Sequence, residues 1–149
     1  MKSNNKNKAF TLVEIMTVMA IVALLVSMAV IETAKFRRQA NESTCQANLK
    51  AIASGFEVYA ARNALSYAPE EQTNLQFLVD SGCLNQDLTA MPQLGNFRYT
   101  VAEVGPAGYD IRAIALNSAL AAHNYQVITG GTLKRTDSPD PSDSDFKTF

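Results

Sequence analysis

Twenty-two consecutive residues, Phe10 to Ile31, hold 18 hydrophobic side chains and one charge, Glu14. At about 1.5 Å per residue a helix of that length spans roughly 32 Å, the thickness of a bilayer's hydrocarbon core. No other stretch of the 149 residues comes near it. The segment before it carries Lys2, Lys6 and Lys8 and no acid. Basic residues ahead of a single span place the N-terminus in the cytoplasm and everything beyond Ile31 outside. Whole-chain averages conceal this division. The chain is 47% hydrophobic and 18% charged with a formal net charge of −1, and its mean hydropathy is −0.05 with a pI near 5.8. Without residues 1–9 the chain keeps 10 basic against 14 acidic residues, or −4.

Three readings compete for this start. A cleaved secretory signal would have the basic and apolar regions and Ser27-Met28-Ala29 as its cutting point. A plain membrane anchor would need only the apolar run. Both leave Glu14 unexplained, because an ionised carboxylate inside an apolar span costs several kcal/mol without a partner. The third reading rests on Ala9-Phe10-Thr11-Leu12-Val13-Glu14-Ile15, which resembles the cleavage signature of type IV prepilins and pseudopilins. The resemblance implies a peptidase cut between Ala9 and Phe10 and N-methylation of Phe10. It also makes Glu14, the fifth residue of the mature chain, the assembly residue. The family usually has Gly before the cut; Ala9 meets the same steric demand, so slower cleavage is expected.

That resemblance supplies the missing partner. Cleavage creates an amine at Phe10, and a carboxylate from a neighbouring subunit can pair with it. A pair costs far less to bury than either charge alone. The implied partners are other copies of the chain and other pilin-like subunits, the prepilin peptidase and methyltransferase, an inner-membrane assembly platform, and membrane lipid before assembly. The implied location is a bacterial inner membrane, crossed once, and then a periplasmic or cell-surface filament. A membrane-anchored extracytoplasmic binding module that never polymerises is the alternative.

Beyond the apolar run, Glu32 to Leu65 contains no Pro and one Gly, Gly55. Cys45, Leu49, Ile52, Phe56 and Tyr59 recur at spacings of 4, 3, 4 and 3, one apolar stripe on an amphipathic helix. The pattern predicts a continuous helix from about Thr11 to Ala64, greasy on all sides in residues 10–31 and on one face in residues 32–65. The segment Asn48-Leu49-Lys50-Ala51-Ile52 extends the family resemblance.

Residues 66–135 read as a head. Thr73 is placed to cap a short helix carrying Leu75, Leu78 and Val79, with Gly82 as its stop. Phe97–Val104 and Tyr109–Ala115 alternate as strands around Gly105-Pro106-Ala107-Gly108. Tyr125–Thr129 and Thr132–Arg135 flank Gly130-Gly131 as a second hairpin. The expected fold class is α+β: a long N-terminal helix packed on a small antiparallel sheet of three or four strands, the arrangement of a pilin head. The compact head, the Asn-Leu-Lys segment and the short final hairpin lean toward the secretion pseudopilins.

Cys45 on the helix stripe and Cys83 after the short helix are candidates for a disulfide, since the head would mature where disulfides persist. Buried free thiols are the competing reading. Residues 136–149 are acidic and rich in Pro and Ser and read as a disordered tail. Their Asp oxygens suit calcium, but Pro139 and Pro141 hinder a tight ligand loop. No nucleophile–base pair, phosphate loop or zinc motif appears, one His and two Cys leave too few metal ligands, and no cofactor is implied. Basic residues do not cluster with aromatics outside the leader, so nothing points to nucleic acid.

Overall fold

The computed structural model describes residues 10–90, 93–138 and 145–148, with the backbone alone at positions 30 and 31. The helix α1 runs Leu12–Arg62, 51 residues without a break, ending two residues before the predicted stop. Two units divide the chain, Met1–Phe36 and Arg37–Phe149.

In the first unit the helix is apolar around its whole circumference. The large hydrophobic side chains from Phe10 to Met28 are 46–80% exposed. The helix is long and apolar enough to cross a membrane, with a mean hydropathy of 2.4 in its most apolar window. The basic leader, residues 1–9, lies outside the described residues.

In the second unit the helix has one buried face. Cys45, Leu49, Ile52, Ala53, Phe56 and Ala60 are buried and Tyr59 is partly so, the predicted stripe with two alanines added. The sheet beside it has five strands, β1 Phe97–Gly105, β2 Gly108–Ala115, β3 Asn124–Ile128, β4 Thr132–Thr136 and β5 Lys147–Thr148, of which β1, β2 and β3 supply the buried core residues. Their order across the sheet is their order in the chain, and each pairs antiparallel with the next. Alternation sends Phe97, Tyr99, Tyr109, Ile111, Ala113, Tyr125 and Val127 into the core. The Phe56 ring stacks on Tyr109 with centroids 4.1 Å apart and planes 6° from parallel. Gly130 and Gly131 both adopt positive φ, 82° and 70°, in the three-residue turn Thr129–Gly131 between β3 and β4.

The short helix α2, Gln76–Asp80, is where expected, but its cap is not. Thr73 makes no cap; the Leu75 N–H donates to Asp87 (3.3 Å) and the Gln76 N–H to Asn74 (3.1 Å). The local acceptor at the first helical N–H is thus Asn74, and the Asp87 carboxylate, from beyond the helix and buried, takes the N–H of the preceding residue, Leu75. Gly82 does end the segment, with φ at 68°. Phe77 of α2 meets Phe56 at 6.0 Å and Tyr59 edge-on at 5.1 Å.

The tail also departs from expectation. Thr136 belongs to β4, and Lys147–Thr148 extend the sheet as β5. Phe146 is buried beneath the Arg112 guanidinium, 5.9 Å from the ring centroid. One large apolar ring anchors a segment whose average composition is that of a disordered one. Residues 139–144, with Pro139, Pro141, Asp140 and Asp143, lie outside the described residues.

Candidate assembly site

Helix α1 begins with a reciprocal pair of hydrogen bonds. The Thr11 backbone N–H and hydroxyl both donate to Glu14 Oε2, at 2.8 and 2.9 Å, and the Glu14 N–H donates to Thr11 Oγ1 at 3.2 Å. Thr11 stands at the N-cap and Glu14 three residues inside, so this is a capping box. Its T-x-x-E signature is legible in the sequence, from Thr11 to Glu14. The box does two things in an apolar span. It satisfies first-turn N–H groups that have no intrahelical partner. It also gives the carboxylate polar company and places its negative charge at the positive end of the helix dipole.

Phe10 sits directly before this first turn and is 80% exposed. The chain end created by a cut at Ala9–Phe10 would therefore lie one residue from the cap. Ala9 itself is outside the described residues. Both Thr11 donors fall on Oε2, leaving Oε1 as the carboxylate oxygen that an incoming cation could engage without breaking the cap. Thr11→Ala should remove both Thr11 hydroxyl bonds and cost about 1 kcal/mol of local helix stability. Hydrogen exchange of the Val13–Ile15 amides in detergent micelles should accelerate by about fivefold; unchanged protection would mean that the box contributes nothing.

The two cysteines are free, and no bridge joins Cys45 to Cys83. The short helix does pack beside the long one, but at the wrong height. A Cβ on Gly55 would sit 3.0 Å from the Cys83 carbonyl oxygen, and the Cys83 thiol lies 3.8 Å from Arg62 Nη1. Gly55 is ten residues, about 15 Å, farther along the helix than Cys45, whereas a disulfide needs Cα atoms within about 7 Å. Gly55 is also what lets the Cys83 backbone approach the helix this closely. Burial pushes the Cys45 thiol up to about 12, so it stays protonated and unreactive. Burial likewise raises Tyr109 and Tyr125 to about 12 and Tyr99 above its ordinary value. A thiol reductant should therefore leave the melting temperature unchanged. A bridge closing that loop would contribute roughly 3–4 kcal/mol, so a clear fall on reduction would contradict the free-thiol arrangement.

Among the described residues no group of three or more His, Cys, Asp or Glu side chains is placed to hold a metal ion. Asp137 of the tail instead meets the ring of His123, the one histidine of the chain.

Comparison with known proteins bears on the N-terminal segment first. Residues 4–30 match the prokaryotic N-terminal methylation motif. Over 86 residues the chain is 28% identical to the type IV major pilin protein PilA of Myxococcus xanthus (strain DK1622), a match covering 52% of this chain and 39% of that protein. The chain thus spans well under half of the relative it matches. No solved structure matches. The methylation motif falls on the capping box and the apolar helix, and the fold beyond is the α+β arrangement of one long helix and a small antiparallel sheet. In its N-terminal segment the chain is thus similar to proteins that carry this methylation motif, and over 86 residues to a type IV major pilin.

Proposed function

We propose that the chain is a structural, non-catalytic subunit of a type IV filament, cut between Ala9 and Phe10, methylated on Phe10 and polymerised through its N-terminal helix. The observation that carries this reading is the position of Glu14. It is the one charge of the apolar run, held by Thr11 at the helix start with Phe10 immediately before it. A carboxylate so placed can receive the new amine of a neighbouring copy. The thirteen large side chains exposed between Phe10 and Met28 can pack first against lipid and then against other copies of the same helix. The partners on this reading are further copies, other pilin-like subunits, the peptidase and methyltransferase, and the assembly platform of the inner membrane. Similarity to a major pilin supports a pilus over a secretion pseudopilus.

A non-polymerising anchored module needs neither the cut nor Glu14. Intact-mass and N-terminal peptide spectrometry of the mature protein separates the two. A chain beginning at a methylated Phe10 is expected. A chain retaining Met1, or one beginning at Val30, would overturn the proposal in favour of an anchor or a secretory signal.

A further inference from the structure

The polar ties at the start of the second unit hold one loop in place. The loop between β2 and β3 is fixed to the helix by three contacts. Arg38 Nη2 donates to the Ala119 carbonyl at 3.4 Å, Asn41 Nδ2 to the Leu120 carbonyl at 3.1 Å, and the Ala122 N–H to Glu42 Oε1 at 2.7 Å. The other Glu42 oxygen accepts from the Tyr125 hydroxyl at 3.2 Å, so this acid is turned to the protein, and a second acid at the loop, Asp137, meets the ring of His123. The loop itself, residues 116–123, contains no acid. Leu116 and Leu120 are each 37% exposed. Arg37 is exposed, and among the described residues it is in no ion pair.

We infer that this loop, with Arg37 and Arg38, is a seat for the anionic headgroup layer of the membrane that holds the chain's own apolar segment. The inference rests on the membrane reading of residues 10–31 given above. Chain length supplies the occupant. Arg37 is six positions beyond Ile31, about 9 Å if helical and at most about 20 Å if extended. The headgroup region is roughly 5–8 Å deep on each side of the hydrocarbon core. If that stretch is helical, Arg37 therefore lies within a few ångströms of the headgroup layer, and the loop is tied to the same stretch through Arg38 and Asn41. The chemistry fits that surface. Guanidinium groups bind phosphate through paired N–H donors, and exposed leucines at a loop tip gain by entering the apolar side of the interface. Juxtamembrane basic residues add attraction to anionic lipid that is screened by salt.

The chain contains no Trp, so a single introduced one reports its own depth. The full chain would be placed in vesicles of phosphatidylethanolamine with about 30% phosphatidylglycerol, carrying nitroxide either at the headgroup or deep in the acyl chain. Leu120→Trp is expected to lose at least about half its emission to headgroup nitroxide. Adding Arg37→Gln should lower the docked-to-free ratio by about fivefold, as should replacing phosphatidylglycerol with phosphatidylcholine. Val58→Trp, 20 residues and about 30 Å farther along the helix than Arg38, should be unaffected. Val22→Trp tests the underlying reading through quenching by acyl-chain nitroxide. If Val22→Trp is quenched but Leu120→Trp is quenched no more than Val58→Trp, the seat is refuted and the membrane reading stands. If Val22→Trp is not quenched, both fall.

Discussion

Glu14→Ala should insert into the membrane as well as the parent chain and yet yield less than about a tenth of its sedimentable fibre. Insertion should hold because the substitution removes the one charge from a run of 22 residues, which makes the span easier to bury. Assembly should fail because the amine of Phe10, once packed among helices, would face no carboxylate. Removing one partner of a buried ion pair costs about 3–5 kcal/mol, since the other charge is left uncompensated. At about 1.4 kcal/mol per factor of ten, that is a hundredfold or more in the association of each subunit. The substitution also dismantles the capping box with Thr11, so Thr11→Ala is the necessary comparison. It loses the hydroxyl's part of the cap and keeps the charge. If the cap alone mattered, the two variants would lose fibre equally; on the pairing mechanism Thr11→Ala keeps most of it. Membrane fractionation and quantification of sheared fibres read both effects.

Phe56→Ala should be the most damaging single truncation in the head. The ring is fully buried, stacks on Tyr109 of the sheet and meets Phe77 of the short helix. It therefore joins three elements that, among the described residues, share no other aromatic centre. Truncating a buried Phe costs about 3–5 kcal/mol, and domains of this size melt about 4–5 °C lower per kcal/mol. A fall of roughly 15–20 °C is expected in the circular-dichroism melt of the full chain in detergent. Phe56→Leu should recover about half of it. A shift of only about 3 °C for the alanine variant would show that the helix is held to the sheet elsewhere, for example by Glu42 to Ala122 and Tyr125 and Asn48 to Tyr99.

What could be read in the sequence was what depends on near neighbours. The apolar run, the Phe10–Glu14 spacing and the stripe from Cys45 to Tyr59 are periodic signals, and each falls on the element that its period demands. The two hairpins were announced by their turns, Pro106-Ala107 and Gly130-Gly131. What was not legible depends on distant registration. Whether Cys83 meets Cys45 is decided by how far along the helix α2 lands, and Gly55 draws it to a point about 15 Å away. Thr73 had the right spacing for a cap, but the helix starts later, at Gln76, whose N–H bonds Asn74 while the Leu75 N–H bonds a buried carboxylate twelve residues on. β5 depends on Phe146 finding a place under Arg112, which no local pattern encodes. The capping box is a different case. Its signal was present and local, and it gives Glu14 a part within its own chain beside the assembly role proposed for it.

That double duty gives the central claim its sharpest test. A helical reconstruction of the fibre, at a resolution that places side chains, would show where the Glu14 carboxylate goes. The account predicts the methylated Phe10 amine within about 3–4 Å of Glu14 Oε1 of a neighbouring copy, with Oε2 still accepting from Thr11. A fibre in which Glu14 faces only its own Thr11, and the Phe10 amine pairs with something else or with solvent, would contradict it.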